Sequence, residues 1–345
     1  MAILRPLVSW SHGNNAEVLD AVPLGVSAQV VVCFSILRSQ YLDSPIDLLL
    51  VHLGNATMSK GIFVGLSTID IVYRIERCPD ADSKVVAQSQ TVLVGGPATN
   101  AAITFSHLGG SATLVTTIGC HPLSQMIVRE LQQFSISYVD LSPEFEEVPA
   151  LSSILVPANG KRAVVSANAT RIAAPRPEVK PGVLDGASIM LVDGHFMQSC
   201  IAWAREARAQ RIAVVLDGGS WKPGTEQLLE SVDVAICSDD FRPPGCESED
   251  DVIRFFGPFG IRQIAITGGE KPIRYVIDDT HAEIPVKRVL ITDTLGAGDI
   301  FHGAFCSFYN GKNTFLLALI KAAEIASESV KYEGTREWMA HVDAG

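Results

Sequence analysis

The stretch ITDTLGAGDIFHGAF, residues 291 to 305, puts Asp293, Thr294, Gly296, Gly298 and Asp299 directly ahead of a run with helical character. A glycine-rich turn entering a helix at Ile300–Tyr309 leaves the N–H groups of Gly296, Ala297, Gly298 and Asp299 unpaired and converging, a ready site for phosphate oxygens. Glycine lets the phosphate approach without Cβ atoms in the way. Asp299 is then the one side chain within reach of a hydroxyl aligned on that phosphate, where a carboxylate can take its proton. The same residue also reads as a helix cap, a common role worth about 0.5–2 kcal/mol. Two other phosphate motifs are excluded. A dinucleotide fingerprint needs glycine at 301, where Phe301 stands, and no GxxxxGK(S/T) loop occurs.

Such a loop needs a scaffold. From Gly61 onward, apolar runs of strand length alternate with amphipathic helices. Ile62–Leu66, Ala112–Thr117, Ile189–Val192, Ile212–Leu216, Val234–Ile236 and Gln263–Thr267 are short, β-branched and nearly all apolar, as strands buried on both faces must be. Asn100–Leu108, Leu123–Phe134, Ser199–Ala209, Glu226–Ser231 and Asp250–Phe256 read as helices between them. The alternation predicts an α/β fold, a mostly parallel central sheet with helices on both faces. Ligands of such sheets bind beyond the carboxyl ends of the strands. Two stretches break the rhythm: DIVYRIERCPDADSKVVAQSQTVLVGG alternates without a helix, and ALSSILVPANGKRAVVSANAT reads as a hairpin around Asn159-Gly160. They predict a small β-sheet lid, from segments near 70–94 and 149–168.

A second set of residues stands about 200 positions before the first. GLSTID ends an N-terminal strand with Asp70, and GGPATN supplies Gly95, Gly96 and Asn100 ahead of a helix. With DTLGAGD and GGPATN in this order, the chain resembles the ribokinase-like, or PfkB-type, carbohydrate kinases, from about Met58 to the C-terminal region. A helix cap does not explain the pair of motifs. The resemblance implies a phosphotransferase that moves the γ-phosphoryl group of ATP, with Mg²⁺, to a hydroxyl of a sugar or sugar-like acceptor. It implies that Asp299 is the catalytic base and that Gly296, Ala297 and Gly298 form the anion hole. Asp70, Gly95, Gly96 and Asn100 correspond to the acceptor-binding set, with the glycine pair as the lid hinge. Thr267 and Gly269, with Thr294, correspond to the nucleotide-binding set, and Asp293 lies where some members bind a monovalent cation such as K⁺.

Asp193 in LVDGHF and Asn168 after the hairpin could accept from the same acceptor, or be turn residues. Asp217 in LDGGSW could stand near phosphates or Mg²⁺, whereas His195 and His302 read as ordinary histidines. Two features depart from the family. CSDDFRPPG lacks the NxxE associated with Mg²⁺, which leaves the Mg²⁺ ligands unassigned, and Pro272 replaces the last glycine of TxGxxG. A nucleoside kinase, or a family member that has lost catalysis and serves in binding or regulation, stays open beside the sugar kinase. A sugar-phosphate kinase would need a basic cluster near the lid, for which Lys161, Arg162 and Arg171 are the candidates.

The bulk numbers suit this reading. The 345 residues are 47% hydrophobic and 19% charged, and the net charge of -11 lacks the basic footprint of a nucleic-acid binder. Seven scattered cysteines, none spaced as CxxC, imply neither a disulfide framework nor a zinc site, so a reducing cytoplasm is expected. The uncharged run Ala21–Leu37 falls short of the roughly 18 apolar residues of a spanning helix. Glu17 and Asp20 stand where a secretory signal wants basic residues, so no membrane partner is expected. Residues 1–57 therefore read as an extension outside the kinase domain of 58–345: a targeting segment, an appendage or, the favoured reading, an upstream extension of the reading frame. Lid edges of this kind pair readily with a second chain, which points to a homodimer through the lid.

Overall fold

The computed structural model describes residues 59–158, 162–167, 172, 177–309, 311 and 314–342. The elements in chain order are β1 (Lys60–Val64), β2 (Thr68–Ile75), β3 (Ser89–Gly95), α1 (Pro97–His107), β4 (Ser111–Thr116), α2 (Ser124–Gln133), β5 (Ser137–Asp140), β6 (Leu151–Pro157) and β7 (Ala163–Ser166). They continue with β8 (Ala187–Val192), α3 (Met197–Ala209), β9 (Ala213–Gly218), α4 (Thr225–Leu229), β10 (Val234–Ser238), α5 (Glu249–Phe255), β11 (Gln263–Thr267), β12 (Ile273–Ile277), β13 (Thr280–Ile284), α6 (Ala297–Phe308) and α7 (Phe315–Ser329). All belong to the second of two units, Met1–Thr57 and Met58–Gly345. The expectations for residues 1–57 and for Lys161, Asn168 and Arg171 lie outside the described residues.

Among the described residues the main sheet has nine strands in the order β13-β12-β11-β10-β9-β8-β1-β4-β5. From β11 to β5 every pairing is parallel, and β12 and β13 add an antiparallel edge. Alternate residues of each strand feed two cores. Phe63, Leu191 and Val215 face α1, α6 and α7, while Ile62, Val64, Val192 and Leu216 face the side packed with Trp203 and Phe256. A chain buried on both faces must be apolar at both parities, which is why these strands read as continuous apolar runs.

The second sheet has four strands, β3-β2-β6-β7. β6 and β7 are the arms of the expected hairpin, paired antiparallel from Ser152↔Ser166 to Leu155↔Ala163, and its tip lies outside the described residues. β2 and β3 hold the other break in the rhythm.

Helix starts differ from expectation where the backbone has a cheap way to begin early. α1 starts at Pro97, because proline at the first helical position gives up an N–H that would have no partner anyway. α6 starts at Ala297 rather than Ile300, with Gly296 at φ 68° as its N-cap. These two helices cross closely. A Cβ on Gly303 would stand 2.4 Å from the Ala101 carbonyl oxygen, so glycine is what lets the backbones approach. The crossing brings the start of α1 against the start of α6, and with them the residues of both motifs.

Candidate active site

Asp299 is the third residue of α6 and makes no capping bond to its own helix. Its Oδ2 instead accepts a 2.7 Å hydrogen bond from Nδ2 of Asn100, 199 residues earlier in the chain. That contact answers the capping alternative. Burial first, and the negative charge of Asp217 second, push the Asp299 carboxyl up to about 7, against the opposing pull of the Asn100 hydrogen bond and of His302. The group is thus poised to exchange a proton near neutral pH.

The helix start corrects one expectation. The Ala297 N–H is not free: it donates to the Thr294 carbonyl at 3.3 Å, while the Ile300 N–H closes the first turn onto Gly296 at 2.8 Å. Among the described residues, no acceptor takes the N–H groups of Gly298 and Asp299. An anion approaching this helix start would therefore meet the N–H groups of Gly298 and Asp299, and a Cβ at Gly298 meets nothing within 4 Å.

Asp217 is the last residue but one of β9, 6% exposed, and its Oδ2 has no hydrogen-bond partner. His302 lies beside it, with Nδ1 at 3.5 Å from that oxygen and 2.8 Å from the Gly298 carbonyl. Nε2 stands 3.3 Å from the Ile236 carbonyl. The histidine read as ordinary thus braces the first turn of α6 against β10.

Asp70, on β2, accepts from Thr68 Oγ1 at 2.9 Å, and burial pushes its carboxyl above the usual range. Its Oδ2 lies where a Cβ of Gly95 would be, 2.1 Å away, so the glycine gives the carboxylate its place. Gly96 sits at φ 98°, and its Cβ would meet the Leu66 carbonyl at 2.3 Å. Both glycines of the motif are therefore required by close approach. Asp193 takes up the structural one of the two roles open to it. Its Oδ2 accepts the N–H groups of Leu66 at 2.8 Å and Ala98 at 3.3 Å, and its Oδ1 that of His195 at 2.8 Å. At 2% exposure it is a clamp joining β1, β8 and the start of α1, and it has no free face for a hydroxyl.

A cavity of about 600 Å³ opens on the other side of the helix start. Thr294, Ala297, Gly298, Thr267 and Gly269 line its polar parts, and Ile273, Val286, Phe301 and Val330 its apolar ones. This is the wall composition a nucleotide needs, polar for phosphates and apolar for a base. Arg162, from β7's leading end, reaches across to donate to Thr294 Oγ1 at 2.8 Å. Asp239, the first carboxylate of CSDDF, is paired with Lys271 at 2.7 Å, which braces the Thr267–Gly269 turn.

At Asp293, Oδ1 accepts the Leu295 N–H at 2.9 Å and Oδ2 the Gly334 N–H at 3.1 Å. Arg74 Nη2 stands 4.0 Å from Oδ2 and 3.2 Å from Glu333. Arg74, partly exposed and closer to Glu333, is a cation facing this carboxylate, and no step is routed through a metal ion here.

Two further residues join the site without any sequence signal: Arg336, which donates to Asn100 Oδ1 at 2.9 Å, and Glu130, which accepts from Arg336 Nε at 2.9 Å. Charged residues of this kind are usually solvent-exposed, so neither position stood out.

A family model described as pfkB family carbohydrate kinase matches residues 58–341. Deoxyribokinase of Salmonella typhi is 24% identical over 301 residues, covering 79% of this chain and 93% of its own. Among solved structures, ribokinase from Thermotoga maritima superposes with a TM-score of 0.65 at 22% identity, covering 82% of this chain and 98% of its own. Arabidopsis thaliana ribokinase complexed with ribose and ATP gives 0.65 at 20% identity, over 80% and 94%. At these identities the solved structures share the fold.

Proposed function

We propose, on the premise that this chain belongs to the pfkB family of carbohydrate kinases, that it transfers the γ-phosphoryl group of ATP to a hydroxyl of a sugar, with Asp299 as the base. The observation that carries this reading is the position of Asp299 between two compartments. Its backbone start, at Gly298, lines the 600 Å³ cavity, while its carboxylate turns to Asn100 of the other motif. ATP in that cavity would bring its terminal phosphate to the Gly298 and Asp299 amides. An acceptor held by Asp70 and Asn100 would present its hydroxyl between carboxylate and phosphorus.

Phosphoryl transfer is mostly positioning and charge stabilisation, with a base receiving the proton as the hydroxyl attacks. The Gly298 and Asp299 amides, backed by the α6 dipole, stabilise the transferred group's charge. Asp299 takes the proton at its carboxylate. The small sheet, as a lid, excludes water that would otherwise accept the phosphoryl group. Arg162 supports that role by bonding lid to helix start at Thr294.

Among the described residues no cluster of three or more His, Cys, Asp or Glu forms a metal cage. Mg²⁺ would arrive with the phosphates of ATP, and the Asp217 oxygen without a hydrogen-bond partner is a carboxylate that could support it. When bound, the ion would neutralise charge on the transferred group. Among the described residues no helix is long and apolar enough to cross a membrane. The exposed β7 edge, with Val164 57% and Val165 70% exposed, supports pairing with a second copy through the lid.

The test is ADP release by the full chain with ATP and Mg²⁺ against aldoses, ketoses, sugar phosphates and nucleosides. The expected result is one acceptor class that raises turnover far above the acceptor-free rate. ATP binding with no stimulation by any acceptor would count against a kinase of these substrates. The pH profile carries a second expectation. A base must be ionised, so kcat/KM for the acceptor should rise with pH through about 7. Asp217→Asn removes the like charge that raises the Asp299 pKa, so the acid limb should move to lower pH. The stability effect has its own sign. The native pKa lies above the ordinary 3.8, so this group's contribution is complete below about pH 4 and lost as pH rises through about 7.

A further inference from the structure

Arg336 follows α7 in the segment Lys331–Glu337 and is half-buried, with 18% of its side chain exposed. Its hydrogen bonds reach three other segments and its own. Nε donates to Glu130 Oε1 on α2 at 2.9 Å, and Nη1 to Asn100 Oδ1 on α1 at 2.9 Å. Nη1 also donates to the Thr335 carbonyl at 3.1 Å, and Nη2 to the Val94 carbonyl on β3 at 3.0 Å. The guanidinium lies 5.7 Å from the Phe134 ring centroid. Its donors are directed at protein acceptors rather than outward, so it is not built to greet an anionic acceptor.

The consequence falls on Asn100, whose amide has two orientations of nearly equal shape. A flipped amide would turn its NH₂ to the guanidinium and its oxygen to the Asp299 carboxylate, two unfavourable contacts at once. With Arg336 donating to Oδ1, the NH₂ must face Asp299. Val94 immediately precedes Gly95-Gly96, so the same guanidinium also ties the lid strand to the amide. Planar, forked donors can do this at once; an ammonium cannot.

We propose that Arg336, braced by Glu130, is a positioning residue that fixes the Asn100 amide toward Asp299 and joins that setting to the lid strand at Val94. This rests on the reading of Asp299 as the base. The test compares Arg336→Met, Arg336→Lys, Glu130→Gln and Asp299→Asn in the full chain, with ATP saturating and pH varied. In Arg336→Met the amide is free to turn and the base loses its hydrogen bond. Turnover should fall by about 10²-fold, and the acid limb of kcat/KM should move up by about one pH unit. KM for ATP should stay within about twofold of wild type. Arg336→Lys should rescue little, since it restores charge without the fork. Glu130→Gln keeps an acceptor for Nε and should shift the limb the same way by less.

Turnover and acid limb unchanged in folded Arg336→Met overturn the proposal. So does a loss of turnover with the limb fixed, which is the result of a merely structural tie. Should Arg336→Met fail to fold, Glu130→Gln decides by the same two readouts. Failure of the base assignment shows separately, as turnover retained in Asp299→Asn.

Discussion

Asp299→Asn is expected to fold, to bind ATP about as well as wild type, and to lose about 10²–10⁴ in kcat. The amide has nearly the shape of the carboxylate and disturbs little around it. Asn100 Nδ2, now at 2.7 Å from the carboxylate oxygen, can still donate to an amide oxygen in the same place. The anion hole, made of backbone amides, is untouched. What disappears is the capacity to take a proton at this position, and the two buried carboxylates nearby are otherwise engaged. Asp217 is 6% exposed with His302 against it, and Asp193 is spent on three backbone N–H groups. Burial of a charged group with a raised pKa is also costly, so the variant should melt at the same temperature as wild type or slightly above it. Steady-state turnover beside a thermal melt and ATP titration separates the two effects. A fall in turnover accompanied by an equal fall in folded fraction would point to a structural role instead.

Gly303→Val should be the most damaging change in the scaffold. A Cβ there would lie 2.4 Å from the Ala101 carbonyl oxygen and 2.7 Å from Thr104 Cβ, so the contact is with backbone and has no side chain to swing away. Overpacking of this type costs about 1–3 kcal/mol where neighbours can yield, and more where they cannot. The helices must separate, and Asn100 and Asp299 sit one on each. The expected result is a melting temperature lowered by several degrees, at about 2–4 °C per kcal/mol, with activity lost in the fraction still folded. Gly303→Ala makes a sharper control. Alanine is favoured over glycine in a helix by about 0.8–1.0 kcal/mol, so destabilisation by Ala would isolate the steric contact. A Gly303→Ala protein as stable and active as wild type would show that the crossing has slack.

The parts of the fold legible in the sequence are those whose signal is local. Gln263–Thr267 is apolar at both parities because it is buried on both faces, and its observed bounds are those of the run itself. Asn159-Gly160 announces a hairpin because its turn geometry demands such residues, and the arms Leu151–Pro157 and Ala163–Ser166 flank it. β5, β12 and β13 were not among the expected strands. Ser137–Asp140 is four residues at a sheet edge, and Thr280–Ile284 carries a histidine and a glutamate, so neither shows an apolar run. At the site, Asp299 and Asn100 stood out because glycines mark the turns that hold them. Arg336 and Glu130 did not, since their meaning lies in contacts across 206 residues and no neighbour in the chain hints at them. Asp193 stayed open between two roles for a related reason: a carboxylate at a strand end looks the same whether it meets a ligand or three backbone amides.

The strand order has a consequence for how the protein is made. β1 lies between β8 and β4, so one side of it stays unpaired until residues 187–192 have left the ribosome. At about 5–20 residues per second, the roughly 125 intervening residues take about 6–25 s to synthesise. During that interval Ile62, Phe63 and Val64, all at 0% exposure in the finished fold, border an open apolar strand edge. Such an edge is a template for pairing with other chains. The nascent N-terminal half is therefore a stage at which this polypeptide needs shielding by a chaperone, well before Asn100 and Asp299 have met.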